Sequence, residues 1–251
     1  MMLDPLDFQM NHHMADLRAG YVVSPSKAEK VLFDKGAGKG LSRSRKLENL
    51  YLVAVGIRPS SMFHPGSIDE MLLVHEIARE LGVGMVIRKC GTLVYKVFLF
   101  GKEKEKLAFR IPDMYEKMGF QEFIVAQITI ANLTGKFLEY PSCCVESFVR
   151  HLMQGTDQDL EAHDTLRQDK MPDPRAYFVE RFVPCTVHCT RAIAEGAHIE
   201  DRLNSMSKEL ADLYMKLRFR HMEDVRLGRI VREKRERDEL MALPMKKERK
   251  E

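Results

Sequence analysis

The sequence lacks the features that mark membrane-spanning and exported proteins. No apolar run reaches the roughly 18 residues that a membrane-crossing helix needs. The N-terminal segment has no basic start followed by an apolar block, so it does not resemble a secretory signal. Cysteines number only five, and an odd count argues against a framework of structural disulfides. These absences predict a cytoplasmic protein, without a membrane partner, whose thiols are reduced.

The composition is that of a globular protein whose charge is unevenly distributed. Of its 251 residues, 45% are hydrophobic and 31% are charged, and the net charge is only +3. Total charge therefore does not indicate nucleic-acid binding. The segment 27–46 is strongly basic, 151–201 is acidic, and 216–235 is basic again.

The first half of the chain shows the pattern of a small α/β (α+β) domain with a mixed sheet. A polar, glycine-rich stretch over 1–46 predicts a mobile basic arm. The apolar run 47–57 predicts a strand, and Ser67 predicts the cap of a helix that stops at Gly82. Further candidates follow in the same segment, which we bound at 47–135: two strands joined by a turn at Gly91-Thr92, a short strand over 103–111, and a short helix opened by Pro112.

The second half is predicted to be helical. Residues 136–200 form a cysteine-bearing domain in which Pro141 and Pro184 each open a helix. One long helix is predicted from about Ala197 into a final segment, 201–251, with a charged tail. Its apolar residues are spaced alternately four and three positions apart: Ile199, Leu203, Met206, Leu210, Leu213 and Leu217. This is the spacing of a helix-bundle or coiled-coil seam, and it predicts self-association through 199–217.

The main chemical signal is the clustering of four cysteines, Cys143, Cys144, Cys185 and Cys189, within 47 residues. With a helix starting at Pro184, Cys185 lies in its first turn and Cys189 one turn further on the same face. Helical phase favours Cys144 over Cys143 as the inward-facing member of its pair.

Three interpretations of these cysteines are open. The thiolates hold an iron–sulfur cluster or zinc, they form a metal-free redox pair, or they are buried apolar residues without chemistry. Neither pair has the C-x-x-C spacing of a standard zinc knuckle. We take the metal interpretation as the leading one: a metalloprotein in which the four cysteines are ligands, with sulfur or electron transfer as the activity such a site would suit.

The cysteine segments also resemble a known family. The pattern Tyr140-Pro141-x-Cys143-Cys144, followed by Pro184-Cys185-x-x-x-Cys189, is similar to an archaeal and bacterial family described as domain of unknown function 483. The resemblance covers about 136–200. It implies that these positions form one unit and suggests an archaeal source, but it carries no activity.

A second functional hypothesis comes from the basic C-terminal segment. Four arginines recur there every third residue and would form a basic stripe along a helix: Arg226, Arg229, Arg232 and Arg235. Such a stripe, together with the basic arm, predicts binding to RNA or a ribonucleoprotein, with the cysteines then structural. Docking to an acidic protein is one alternative, and a solvated helix carrying Glu–Arg pairs is another.

Overall fold

The structure is a computed structural model that describes residues 16–34, 40–89, 95–117, 123–168, 172–232 and 235–236. Over these residues the chain is mostly helical with one small three-stranded antiparallel sheet, so the mixed α+β class is confirmed. None of the helices described is long and apolar enough to cross a membrane.

The chain packs into two compact units. Unit 1 comprises Met1–Arg88 and Lys96–Phe109, and unit 2 comprises Lys89–Tyr95 and Arg110–Glu251. This division differs from the sequence-based boundaries at 46, 135 and 200, because the first helices pack with the sheet and the last helices pack with the cysteine segment.

Unit 1 is built on the sheet, whose strands are ordered β1-β3-β2. Strand β1 runs antiparallel to β3, with Ser60 opposite Phe100 and Phe63 opposite Val97. Apart from Lys89 and Tyr95 at strand ends, the strands lie in unit 1: β1 (Ser60–Phe63), β2 (Gly84–Lys89) and β3 (Tyr95–Phe100). The helical segments are α1 (Pro25–Glu29), a π-helix (Lys30–Asp34), a second π-helix (Arg45–Tyr51), α2 (Leu52–Ala54) and α3 (Ile68–Leu81).

Helix α3 begins and ends as its sequence predicts. The Ser67 hydroxyl accepts a hydrogen bond from the backbone N–H of Glu70, and Gly82 ends the helix in the left-handed conformation with φ 67°. Both strands predicted after this helix are present as β2 and β3, while the turn predicted at Gly91-Thr92 lies outside the described residues.

Two strand predictions are wrong. Residues 47–57 are largely helical, since the π-helix Arg45–Tyr51 runs into α2, and their apolar side chains are buried on all sides. A helix buried all round shows no periodicity, so an apolar run alone does not separate it from a strand. The segment 103–111 is also helical, because Ala108 and Ile111 share one fully buried helix face.

The interpretation of 1–46 as a mobile basic arm is wrong for much of the part that the structure describes. Helix α1 and the following π-helix bury Ala28, Val31 and Leu32. Arg45 is also buried, with Nε 2.8 Å from Glu70 Oε1 and its guanidinium 3.6 Å from the centre of the Phe63 ring. This arginine is therefore part of the fold of unit 1.

The described residues of unit 2 are mainly helical, apart from the strand ends at Lys89 and Tyr95 and the irregular segment before Thr190. Helix α4 begins at Glu105, at the end of unit 1, so Pro112 lies inside a helix and does not open one. The helices are α4 (Glu105–Lys117), α5 (Phe123–Leu138), α6 (Ser142–Gln154), α7 (Gln158–Gln168), α8 (Thr190–Asn204) and α9 (Lys208–Arg226), with a 3-10 turn at Pro174–Tyr177.

The predicted long C-terminal helix is instead two helices, α8 and α9, that pack on each other. The Ser207 hydroxyl accepts from the backbone N–H of Leu210 and caps α9, which breaks the helix after Asn204. The apolar spacing continues across this break, and for that reason the sequence shows one seam. Ile199, Leu203 and Leu217 are buried by the chain itself, while self-association through 199–217 stays a prediction.

Candidate metal centre

The four clustered cysteines converge in unit 2. Each offers one sulfur, and the four sulfurs lie within 4.8 Å of one another. The sequence-based expectation that two stretches some forty residues apart bring their sulfurs together is therefore confirmed. Among the described residues, no histidine or carboxylate belongs to this group, and His188 is an exposed residue beside it in sequence.

The first pair is presented by the start of α6. Pro141 precedes the helix, as predicted, and Cys143 and Cys144 are its second and third residues. Three of the sulfur–sulfur distances in the group are 3.9 Å between Cys143 and Cys144, 3.7 Å between Cys143 and Cys189, and 3.7 Å between Cys144 and Cys189. Cys144 is buried and Cys143 is half-buried, so Cys144 is the more inward member, but both sulfurs join the group.

The second pair is placed differently from the prediction. Pro184 does not open a helix. Residues 185–189 form turns, with the Cys189 N–H donating to the Thr186 carbonyl at 3.1 Å, and α8 begins only at Thr190 with Cys189 as its cap residue. Cys189, and not Cys185, thus lies at a helix start. The turns fold the chain back so that both sulfurs of a C-x-x-x-C segment reach one point without a helix between them.

An aromatic cluster joins the two cysteine segments. Tyr140 lies just before α6, and its ring centre is 4.6 Å from that of Phe182 and 5.9 Å from that of Phe178. The Phe178 and Phe182 rings are 4.4 Å apart and both residues are buried. Aromatic pairs at these distances add to the free energy gained from burial, so the cluster fixes one segment against the other.

The surroundings of the thiols shift their pKa values in different directions. Burial raises the pKa of Cys144 far above its usual range and raises the pKa of Cys185 to about 11. At Cys189 burial also opposes ionisation, but hydrogen bonds from the Ala192 backbone and the neighbouring thiols outweigh it and lower the pKa. Four thiolates at this spacing repel one another unless a cation lies between them.

The site depends on side chains that the sequence patterns did not reveal. Gln158, Tyr214, Arg218 and His221 are buried, and all four have polar atoms on backbone carbonyls of residues 177–184, the segment that leads into Cys185. The sequence did contain a pattern that indicates three of these residues. The polar side chains at 214, 218 and 221 recur at helical spacing and therefore lie on one face of a helix, among the apolar seam positions.

The arginine stripe is interrupted. Helix α9 ends at Arg226, and Gly228 follows with φ 66°, so the four arginines do not share one continuous helix. Arg226 is 3.0 Å from Glu223 and Arg229 is 2.7 Å from Asp224, as in the solvated, ion-paired alternative, whereas Arg232 and Arg235 are exposed. RNA binding by these arginines stays a prediction.

Comparison with known proteins confirms the resemblance of the cysteine segments. Residues 101–218 match the model of the family described as protein of unknown function (DUF483), a span that contains all four clustered cysteines. An uncharacterized protein of Methanocaldococcus jannaschii is 26% identical over 95 residues, which are 37% of this chain and 49% of that relative. The chain therefore matches about half the length of this archaeal relative. No solved structure matches.

Proposed function

We propose that unit 2 is a metal-binding module that holds one zinc ion on the sulfurs of Cys143, Cys144, Cys185 and Cys189, and that this ion stabilises the fold. The observation that carries the proposal is the convergence of four thiols within 4.8 Å. Soft thiolate ligands in a set of four select zinc or iron among the common biological metals.

The sulfur spacing supports a single ion. A tetrahedron of thiolates at the usual zinc–sulfur length of about 2.3 Å has edges of about 3.8 Å. The three sulfur–sulfur distances given above are 3.7, 3.7 and 3.9 Å. An iron–sulfur cluster distributes its thiolates over several iron atoms and holds them further apart, so the predicted cluster is the less favoured of the two cofactors.

Four protein ligands also favour a structural role over a catalytic one. A catalytic zinc keeps one coordination position for water or substrate, whereas four cysteines close the tetrahedron. Sulfur transfer at the metal would need an open coordination position, which such a site lacks, and zinc has no redox chemistry with which to transfer electrons. A closed site instead joins the start of α6, the turns at 185–188 and the start of α8.

The chain supplies favourable surroundings for the negative charge of four thiolates on one ion. Three of the cysteines lie at the starts of α6 and α8, where the positive end of the helix dipole stabilises thiolates, and the Ala192 backbone N–H bonds to the Cys189 sulfur. The backbone N–H of Cys185 points at the Cys144 sulfur at 3.5 Å. Such bonds orient a ligand and reduce its repulsion from the other sulfurs.

Metal analysis of anaerobically purified protein tests the proposal. We expect one zinc per chain, no inorganic sulfide and no visible colour. Replacement of zinc by Co²⁺ should give the intense absorption of a tetrahedral thiolate site. One iron per chain with red colour would keep the single-ion geometry but change the metal. Iron with stoichiometric sulfide, or no bound metal at all, would overturn the proposal.

A further inference from the structure

The segment that delivers Cys185 to the site is irregular and buried. From Tyr177 to Pro184 it has no regular secondary structure beyond the end of the 3-10 turn, yet most of its residues are inaccessible to solvent. Buried backbone carbonyls that do not bond to a helix or sheet need other donors, since an unpaired one costs free energy. The donors here determine where the cysteine-bearing turns lie.

Helix α9 supplies three of these donors from one face. The Tyr214 hydroxyl donates to the Phe178 carbonyl at 2.9 Å, and Arg218 Nη1 donates to the Tyr177 carbonyl. His221 Nε2 is 3.0 Å from the Phe182 carbonyl and donates to it. These contacts hold the first part of the segment.

Gln158, at the start of α7, holds the last part. Its side-chain amide nitrogen donates to the Val183 carbonyl at 2.8 Å and to the Pro184 carbonyl at 3.2 Å. These are the two peptide groups immediately before Cys185, and Gln158 is only 6% exposed. A single buried amide therefore fixes the backbone from which the Cys185 sulfur is directed toward Cys144.

We propose that Gln158 is a positioning residue for the Cys185 thiolate, and that with the three α9 donors it holds residues 177–185 in the metal-binding arrangement before the ion is bound. This inference rests on the proposed metal site. It states that residues outside the ligand set control how tightly the ion binds. A site that is already formed avoids the entropy of ordering its ligands on binding.

The first test measures metal affinity. Gln158→Met keeps the length and removes both donors, while Ala162→Gly weakens the same helix, one turn on, and keeps the amide. We expect Gln158→Met to lower zinc affinity, measured by chelator competition, by about 10–100-fold and to change the Co²⁺ absorption. Ala162→Gly should leave affinity and spectrum unchanged. Equal affinities for wild type and Gln158→Met, or an equal loss in both variants, would overturn the inference.

The second test uses the metal-free protein, so it does not depend on ion binding. Hydrogen exchange should show that the Cys185 amide is protected without metal in wild type and in Ala162→Gly, and loses protection in Gln158→Met. Rapid exchange in metal-free wild type would mean that the segment is not preformed, and would overturn the inference even if zinc binds. A protected segment in a protein that binds no metal would refute the proposed function alone.

Tyr214→Phe serves if Gln158→Met fails to fold, because it removes only one hydroxyl from the same set of donors. We expect faster exchange of the amides beside Phe178 in the metal-free variant and a smaller loss of zinc affinity, of a few-fold. Exchange and affinity both identical to wild type would contradict the role given to these donors.

Discussion

At the scale of single residues, the four cysteine sulfurs converge from three different local structures. Cys143 and Cys144 begin a helix, Cys185 lies in a turn, and Cys189 caps a second helix. The burial that raises the pKa of Cys144 and Cys185 disfavours free thiolates. A cation reverses this preference, because it favours the ionised ligand.

Removal of one sulfur should therefore abolish the site, whereas removal of the unclustered cysteine should not. We expect Cys144→Ser to retain less than a tenth of the zinc per chain found in wild type, and Cys90→Ser to retain all of it. Cys90 lies outside the described residues and far from the pattern of the other four. Metal analysis after gel filtration makes the comparison, and full zinc content in Cys144→Ser would exclude a four-sulfur site.

His221 should make stability depend on pH. Burial, then the charge of Arg218, lowers its pKa to about 3 from an ordinary value near 6.5. The unfolded chain thus binds a proton between about pH 6.5 and 3 that the native chain does not bind, and stability falls as the pH decreases through this window. The slope from this one group is at most about 1.4 kcal/mol per pH unit.

Urea denaturation of metal-free protein at pH 7 and pH 5 measures this effect. His221→Gln keeps a donor for the Phe182 carbonyl and cannot titrate, so its stability should fall less than that of wild type. The difference between the two proteins isolates the histidine from other groups. Identical pH dependence in both would show that His221 is not buried in its neutral form.

At the scale of elements, helix α8 packs against the 3-10 turn Pro174–Tyr177 at a glycine. A Cβ atom at Gly196 would overlap the Arg175 carbonyl oxygen. Glycine is thus required by close approach and not by backbone conformation, since 196 is an ordinary helical position. The contact brings the turn that precedes the cysteine segment against the helix that follows it.

Gly196→Ala should destabilise unit 2 by about 1–3 kcal/mol, because the overlap forces the two elements apart. In an exposed helix the same change stabilises the protein by about 1 kcal/mol, so the sign of the change in unfolding free energy tests the close contact. Ala194→Gly, at an exposed position of the same helix, is the matched control and should cost only the usual helix penalty. Thermal denaturation with both variants tests this, and a more stable Gly196→Ala protein would contradict the packing.

At the scale of the whole molecule, the two units should respond differently to loss of metal. All four sulfurs belong to unit 2, while unit 1 has its own core of fully buried side chains such as Leu50, Val74 and Phe98. Structural zinc contributes its binding free energy to folding, of the order of several kcal/mol or more. Metal loss should therefore weaken one unit and spare the other.

Hydrogen exchange with and without a strong chelator measures this directly. We expect protection to fall in α6, α8 and the residues between them, and to remain unchanged in α3 and the strands. Chelator already saturated with zinc, which cannot extract more of it, is the control. An equal loss of protection in both units would show that the ion stabilises the chain as one cooperative body.

Sequence reasoning was reliable where a local rule was sufficient. The Ser67 cap, the Gly82 stop and the Pro141 start each depend on hydrogen bonds within a few residues, and the structure contains all three features. Sequence reasoning was wrong for 47–57, where burial determines the pattern of apolar residues. A segment covered on every side loses the periodicity that distinguishes a helix from a strand. It was also wrong at Pro184, whose presence permits a helix start without requiring one.

The amino-acid order alone determined that four thiols are available within a short segment and that this segment resembles an uncharacterised family. Only the tertiary structure decided that their sulfurs lie within 4.8 Å of one another, that Cys189 and not Cys185 begins a helix, and that buried donors at 158, 214, 218 and 221 bond to the connecting segment. The reason is physical: the arrangement of the sulfurs depends on contacts between residues 25 to 46 positions apart, and no local pattern encodes such distances.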